Sequence, residues 1–184
     1  VLETGIAVTP EDPELNFHLG YTLSSQGRYE EAKRSYERAV TADISGVFTS
    51  VDRGILGYKT YHNLAGVCLL LEDYEQAKTY WRQALQDKPE FLPSAFELFQ
   101  CALEKQDFPA VEEALERVRQ REGMSENWTN MALQYVEKSG GASEQEAFLH
   151  QCVQRDPEAL APRLHLVRLL LRSERETEAE PHLA

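Results

Sequence analysis

The stretch GRYEEAKRSYERAV, residues 27–40, is written again 45 positions later as EDYEQAKTYWRQAL, residues 72–85. The copies share Tyr29, Ala32, Tyr36 and Ala39 in the first and Tyr74, Ala77, Trp81 and Ala84 in the second. Steps of three, four and three put all four positions on one face of an α-helix. That face alternates a bulky ring with alanine, so another helix can approach closely at the alanines while the rings wedge in beside them. Such a helix needs a neighbour, and repetition supplies one.

At 184 residues and 42% hydrophobic content the chain can bury a core in one domain or one continuous stack. Only 10 Gly and 8 Pro occur, and few segments alternate with period two, so the expected class is all-α. A formal charge of −12 argues against nucleic acid as a partner, because an acidic surface repels the phosphate backbone. The apolar run LAGVCLLL, residues 64–71, is too short to span a bilayer. Cys68, Cys101 and Cys152 are widely spaced and odd in number, which is neither a disulfide framework nor a close-spaced zinc site. They read as buried free thiols in a reducing compartment, and a cytoplasmic location is expected.

Upstream of the first stripe lies PELNFHLGYTLSSQ, with Leu15, Leu19 and Leu23 on one face and Leu19-Gly20 permitting close approach. The unit is thus helix, short turn at Gly27, helix, with Asp43 near the exit. This resembles a tetratricopeptide repeat, a 34-residue pattern of two helices with Leu-Gly or Leu-Ala in the first, Ala, aromatic and Ala in the second, and Pro near the end. The second unit carries Tyr61, Leu64, Ala65, Tyr74, Ala77, Trp81, Ala84 and Pro89 in the matching places. A third has Leu98, Ala102, Phe108, Val111, Leu115 and Val118; a fourth opens with Trp128, Met131, Ala132 and Tyr135 and closes with Leu149, Cys152 and Asp156-Pro157. The resemblance implies one tetratricopeptide-type right-handed α-solenoid of helix-turn-helix repeats. Its units fall at residues 13–46, 58–91, 92–124, 125–158 and, in part, 159–184. The opening VLETGIAVTPEDP, which starts without Met, reads as the tail of a preceding second helix, so the chain is expected to continue upstream.

The spacing of 45 instead of 34 between the first two units leaves an insertion at about residues 46–57. Val47, Phe48, Val51 and Ile55 recur there at helical spacing, with Asp52 and Arg53 as a charged edge. One reading is an extra turn or two lengthening the first helix of the second unit; the other is a functional loop. The continuation VDRGILGYKTYHNLA, residues 51–65, is similar to a segment of bacterial family-2 glycosyltransferases in which a tetratricopeptide region follows the catalytic domain. Val51, Asp52, Gly54, Gly57, Tyr58, Lys59, His62, Asn63, Leu64 and Ala65 match, and Ile55 stands where that pattern has Leu. The resemblance implies a sugar-nucleotide-dependent parent enzyme whose catalytic domain precedes Val1, with this chain as its non-catalytic helical region. A stand-alone adaptor is the alternative.

No self-contained active site is legible. The pairs Glu11-Asp12, Glu30-Glu31 and Glu112-Glu113 fall at turns or on solvated faces, no His pairs with another His or Cys at helical spacing, and no Gly-rich phosphate loop occurs. No catalytic residue, metal ligand or cofactor is therefore assigned. Binding is the better candidate. In the repeat pattern the first helices face a groove, which puts Phe17, Tyr21, Lys59, His62, Asn63, Gly66, Phe96 and Gln100 toward it, with Arg53 at the insertion's edge. Lys59, His62 and Asn63 read as a polar cluster suited to an acidic peptide tail or an anionic head group, or as an ordinary solvated face. The expected partner is a protein or peptide, or the acceptor of a linked transferase domain. The register itself is testable: Ala77→Leu should overpack the helix pair and cost about 1–3 kcal/mol in urea denaturation, and an unchanged midpoint would overturn it.

Overall fold

The computed structural model describes residues 12–42, 52–140 and 142–183. Among them the chain forms ten α-helices, a terminal 3-10 turn at Glu180–His182 and no strand. The helices are α1 (Pro13–Ser25), α2 (Tyr29–Thr41), α3 (Tyr58–Leu70), α4 (Tyr74–Asp87), α5 (Pro93–Lys105), α6 (Phe108–Glu122), α7 (Glu126–Gly140), α8 (Ala142–Arg155), α9 (Leu160–Arg172) and the short α10 (Glu176–Ala179). They form two compact units that divide within α5, between Glu97 and Leu98.

In the first unit α2 packs on α1, α3 on α2 and α4 on α3. Its core gathers Leu23, Ala32, Tyr36, Leu64 and Val67, with Phe17, Leu19, Tyr29 and Tyr61 packed partly buried against it. The alternating stripe holds: Ala32, Ala39, Ala77 and Ala84 are fully buried, and Tyr36 and Trp81 are 1% exposed. On α1 the buried line runs through Pro13, Asn16, Gly20 and Leu23, one position off the expected Leu15, Leu19, Leu23 face. Gly20 explains the offset. A Cβ there would lie 2.8 Å from the Tyr36 ring, so the ring occupies the space that a side chain at position 20 would fill. Asn16, buried beside it, donates its amide to the Asp12 carbonyl at 2.8 Å.

In four of the five helix pairs the turns share one construction. Gly27, Glu72, Gln106 and Glu174 each adopt positive φ, at 76°, 63°, 57° and 57°. The residue after each, namely Arg28, Asp73, Asp107 and Arg175, donates its N–H to the carbonyl five places back, at 2.9–3.0 Å. This closes the first helix with its orphan carbonyls satisfied. Asp73 and Asp107 then cap the second helix, their carboxylates accepting from Gln76 N at 3.1 Å and Ala110 N at 3.3 Å. Arg28 and Arg175 stand there in the other two pairs and clasp Glu31 and Glu178 three residues on.

The insertion does not lengthen α3 through its described part. Residues 53–57 are turns and the helix begins at Tyr58; Val47, Phe48 and Val51 lie outside the described residues. Two contacts set that start. The Asp52 carboxylate accepts the Gly54 N–H at 2.8 Å, folding the chain back on itself. Asp87, at the end of α4, reaches across to accept the Tyr58 N–H at 2.7 Å. Its carboxylate would meet a Cβ on Gly57 at 2.1 Å, so a side chain there would push the carboxylate aside from the Tyr58 N–H.

In the second unit α7 packs on α6, α8 on α7, and α9 on both α8 and α7. Leu149, Leu166, Val167, Leu170 and Ala179 make one core cluster. Trp128, Met131 and Ala132 of α7 are buried, as are Val111, Leu115 and Val118 of α6 together with Ala110 and Ala114. The Tyr135 hydroxyl donates to Glu112 at 2.7 Å. All three cysteines are buried and outside any disulfide, and burial pushes the Cys68 and Cys152 thiols up to about 11.

Two glycines on first helices, Gly20 facing Tyr36 and Gly66 facing the groove, give opposite expectations. Gly20→Ala must displace the buried Tyr36 ring and should cost about 1–3 kcal/mol. At Gly66 a Cβ meets nothing within 4 Å, so Gly66→Ala should gain about 0.5–1 kcal/mol from lower chain entropy in the unfolded state. Urea midpoints that shift in the same direction would refute the packing of Tyr36 on Gly20.

Candidate groove in the first unit

The first helices of the first unit border a groove of about 360 Å³. Tyr21, Ser24 and Ser25 of α1 form one wall, His62, Asn63, Gly66, Leu69 and Leu70 of α3 the other, and Glu97 of α5 one end. Tyr36, Val67 and Trp81 lie beneath. The two large apolar groups at the rim are open to solvent, Tyr21 at 64% and Leu70 at 54%.

The polar chemistry is sparse. Glu97 is the one ionised side chain in the lining. The Tyr21 hydroxyl, the Asn63 amide and the Glu97 carboxylate make no hydrogen bond to any described residue, so an occupant could use all three. His62 is committed: its Nδ1 lies 3.0 Å from the buried Ser94 hydroxyl and its ring stands edge-on to Phe91 at 5.3 Å. Burial holds the imidazole below the usual histidine range, against a smaller upward pull from Glu97. The Trp81 indole N–H is enclosed without an acceptor, an orphan donor of the kind that costs about 1–3 kcal/mol.

Of the residues expected to face a groove, Tyr21, His62, Asn63 and Gly66 are brought together here. Phe17 instead packs its ring on Tyr36 at 5.7 Å, within the core. Phe96 is half-buried outside the lining, and Gln100 is exposed on the part of α5 that belongs to the second unit. Arg53 is exposed in the turn before α3. The expected cluster of Lys59, His62 and Asn63 does not form a cationic site. The Lys59 ammonium is paired with Asp52, raising its pKa and lowering that of Asp52 through their hydrogen bond, and Lys59 is not part of the groove lining. His62 is thus held toward its neutral form, and Glu97 is the acidic side chain of the lining. Leu70 and Glu97 are not among the residues expected to face the groove, although Glu97 stands one 34-residue repeat after Asn63, and that spacing is the signal that could have found it.

Among the described residues no group of three His, Cys, Asp or Glu side chains is placed to hold a metal ion. No helix among them is long and apolar enough to cross a membrane.

Residues 13–43 and 58–90, the helix pairs α1–α2 and α3–α4, match the tetratricopeptide repeat family model. The fold is all-α and of tetratricopeptide type, built of helix-turn-helix repeats. Solved structures with this fold include a tetratricopeptide repeat protein from Parabacteroides merdae ATCC 43184, with a TM-score of 0.62 and 17% identity over 98% of this chain and 68% of that one. YrrB, described as a tetratricopeptide repeat protein with an unusual peptide-binding site, gives 0.58 and 17% over 100% and 89%. MamA from Desulfovibrio magneticus RS-1, residue 41 to its end, gives 0.56 and 15% over 93% and 90%. At these identities the likeness is one of fold. No curated protein matches in sequence.

The depressed His62 pKa gives a pH dependence with a definite sign. The unfolded imidazole takes up a proton near pH 6.5, whereas the buried ring resists it. Stability from the neutral ring is therefore present above about pH 6.5 and lost as the pH falls toward the lower folded pKa. His165, likewise held low by burial and by Arg168, adds to the same slope. The urea midpoint should drop between about pH 7 and pH 5, and His62→Gln should flatten part of that drop; an unchanged profile would exclude His62.

Proposed function

We propose that the chain is a non-catalytic interaction scaffold whose first-unit groove holds an extended peptide segment of a partner protein. The observation that carries this reading is the open groove between α1 and α3, which pairs a solvent-exposed apolar rim with unused polar groups. Tyr21 and Leu70 would take an apolar side chain, the Asn63 amide would pair with peptide backbone, and Glu97 would favour a nearby Lys or Arg. YrrB, a protein of the same fold described as having a peptide-binding site, supports binding as the use of such a surface. An overall charge of −12 disfavours acidic segments at longer range.

The resemblance of residues 51–65 to tetratricopeptide-bearing glycosyltransferases supports a finer reading. In it the scaffold belongs to a bacterial cytoplasmic family-2 glycosyltransferase and positions the acceptor or a partner protein beside the catalytic domain. The intact mass of the native gene product separates this from a stand-alone adaptor: a product well above 21.0 kDa with a nucleotide-sugar domain upstream supports the transferase, and one near that mass refutes it.

Groove binding is tested with a peptide array that varies charge and apolar content, read out by fluorescence titration of the best binder. Peptides combining an apolar anchor with a basic residue should lead. Tyr21→Ala with Leu70→Ser should weaken capture about tenfold or more without lowering the melting temperature. Lys59→Glu should leave capture intact, since that ammonium sits on Asp52 outside the lining. Capture insensitive to Tyr21 and Leu70, or a preference for acidic peptides, would refute the site.

A further inference from the structure

The second unit carries an apolar surface that the first-unit groove does not use. α9, LAPRLHLVRLLLR, carries an apolar face wider than its contact with the core. Leu166, Val167 and Leu170 are buried in the core, yet Leu160, Leu164 and Leu171 are 60%, 38% and 46% exposed. Their steps of four and seven residues align them along one side of the helix, a stripe about 17 Å long. A surface helix ordinarily turns polar beside its core face; α9 instead carries its apolar face on past Val167 into these leucines, while Arg168 and Arg172 stand opposite the core. Leu160 and Leu164 border a cavity of about 470 Å³ with Met124 and Ala161. Four carboxylates complete its lining, from Glu122, Glu126, Asp156 and Glu158, and no Lys or Arg does. Glu122 accepts only neutral donors, Ser125 at 2.8 Å and Asn127 at 3.3 Å, and Asp156 accepts the Glu158 N–H at 3.2 Å. None of the four forms an ion pair among the described residues, so their charge is uncompensated. Arg168 and Arg172 of the same helix line a different cavity with Gln145 and Leu149.

We propose that this face docks a basic amphipathic helix of a partner protein, its apolar side on Leu160, Leu164 and Met124 and its Lys or Arg residues against the four carboxylates. Charge selects this occupant over the alternatives. A second copy meeting the face through the same patch would set its own four carboxylates against these, and an anionic lipid surface would be repelled likewise. A helix also suits the shape, because the described residues offer no strand edge for an extended segment to join, whereas the leucines repeat at helical spacing.

The test uses the whole chain and a fluorescein-labelled Leu/Lys peptide of about fourteen residues with leucine at helical spacing, beside the same peptide with Glu for Lys. Anisotropy titrations should show saturable binding of the Leu/Lys peptide only, weaker at about 500 mM salt than at about 50 mM. Leu160→Ser with Leu164→Ser should weaken it about tenfold or more, and Glu126→Gln with Glu158→Gln should weaken it mainly at low salt. Tyr21→Ala with Leu70→Ser should leave it unchanged, which separates this face from the first-unit groove. If the double serine variant loses its helical circular dichroism, Leu164→Lys alone serves in its place. Unimpaired binding in the leucine variant would mean attraction by the acidic surface at large and would overturn the proposal. So would equal binding of the Leu/Glu peptide, or a dimer in sedimentation that the leucine variant dissolves.

Discussion

The fit of the Tyr36 ring over Gly20 is the constraint from which the first helix pair follows. A ring of that size can be 1% exposed only if the facing helix yields room, and at position 20 the room is a missing Cβ. The same two places recur 45 residues on as Ala65 and Trp81, both buried, and 34 further on as Phe99 and Leu115, buried again. The large group thus moves from the second helix of a pair to the first as the chain proceeds. Exchanges that conserve summed volume are those a close-packed interior tolerates best. The repeat therefore persists in the third pair although its lettering no longer resembles the first.

The turns supply the second constraint. A left-handed residue between paired helices recurs at 27, 72, 106 and 174, intervals of 45, 34 and 68, the last being twice 34. Only the first of these is glycine. Glu72, Gln106 and Glu174 hold a conformation that costs an ordinary residue about 1–2 kcal/mol, and neighbouring hydrogen bonds offset it. The N–H that closes the first helix belongs in two pairs to the Asp that caps the second, so one residue ends one helix and starts the next. Periodicity in this chain resides in backbone geometry as much as in side chains, which is why it outlasts the aromatic-alanine stripe.

How much was legible in the sequence follows from which interactions are local. Ala32, Tyr36, Ala77 and Trp81 could be read because their burial is set by helical spacing, and spacing is visible in letters. Asn16 could not, since its burial beside Gly20 follows from the seating of the Tyr36 ring of α2 there, a contact between helices that local spacing does not show. Tyr21, His62 and Asn63 were legible as groove residues from their place on first helices, and Glu97, 34 residues after Asn63, follows from the same spacing; Leu70, at the end of α3, was not, because its exposure is decided by what packs around that end. Lys59 misled for a related reason. Its charge is apparent in the sequence, whereas its engagement by Asp52 depends on the chain folding back at Gly54. On α9 the letters show an apolar helix without showing that half of its leucines face outward.

The segment at 51–65 shows what a resemblance can carry. Within its described residues, Asp52 folds the chain through the Gly54 N–H and pairs with Lys59, while Gly57 admits the Asp87 carboxylate that caps Tyr58. The Tyr58 ring lies 4.8 Å from Phe91, His62 joins Ser94, and Leu64 and Ala65 fill the core. Nearly every matching residue thus helps to start α3 and fasten it to the exit of α4. A segment with these duties would recur wherever a tetratricopeptide pair must begin after a long connection, whatever the groove beside it holds. Asn63 is the matching residue whose side chain enters no such fastening and lines the groove.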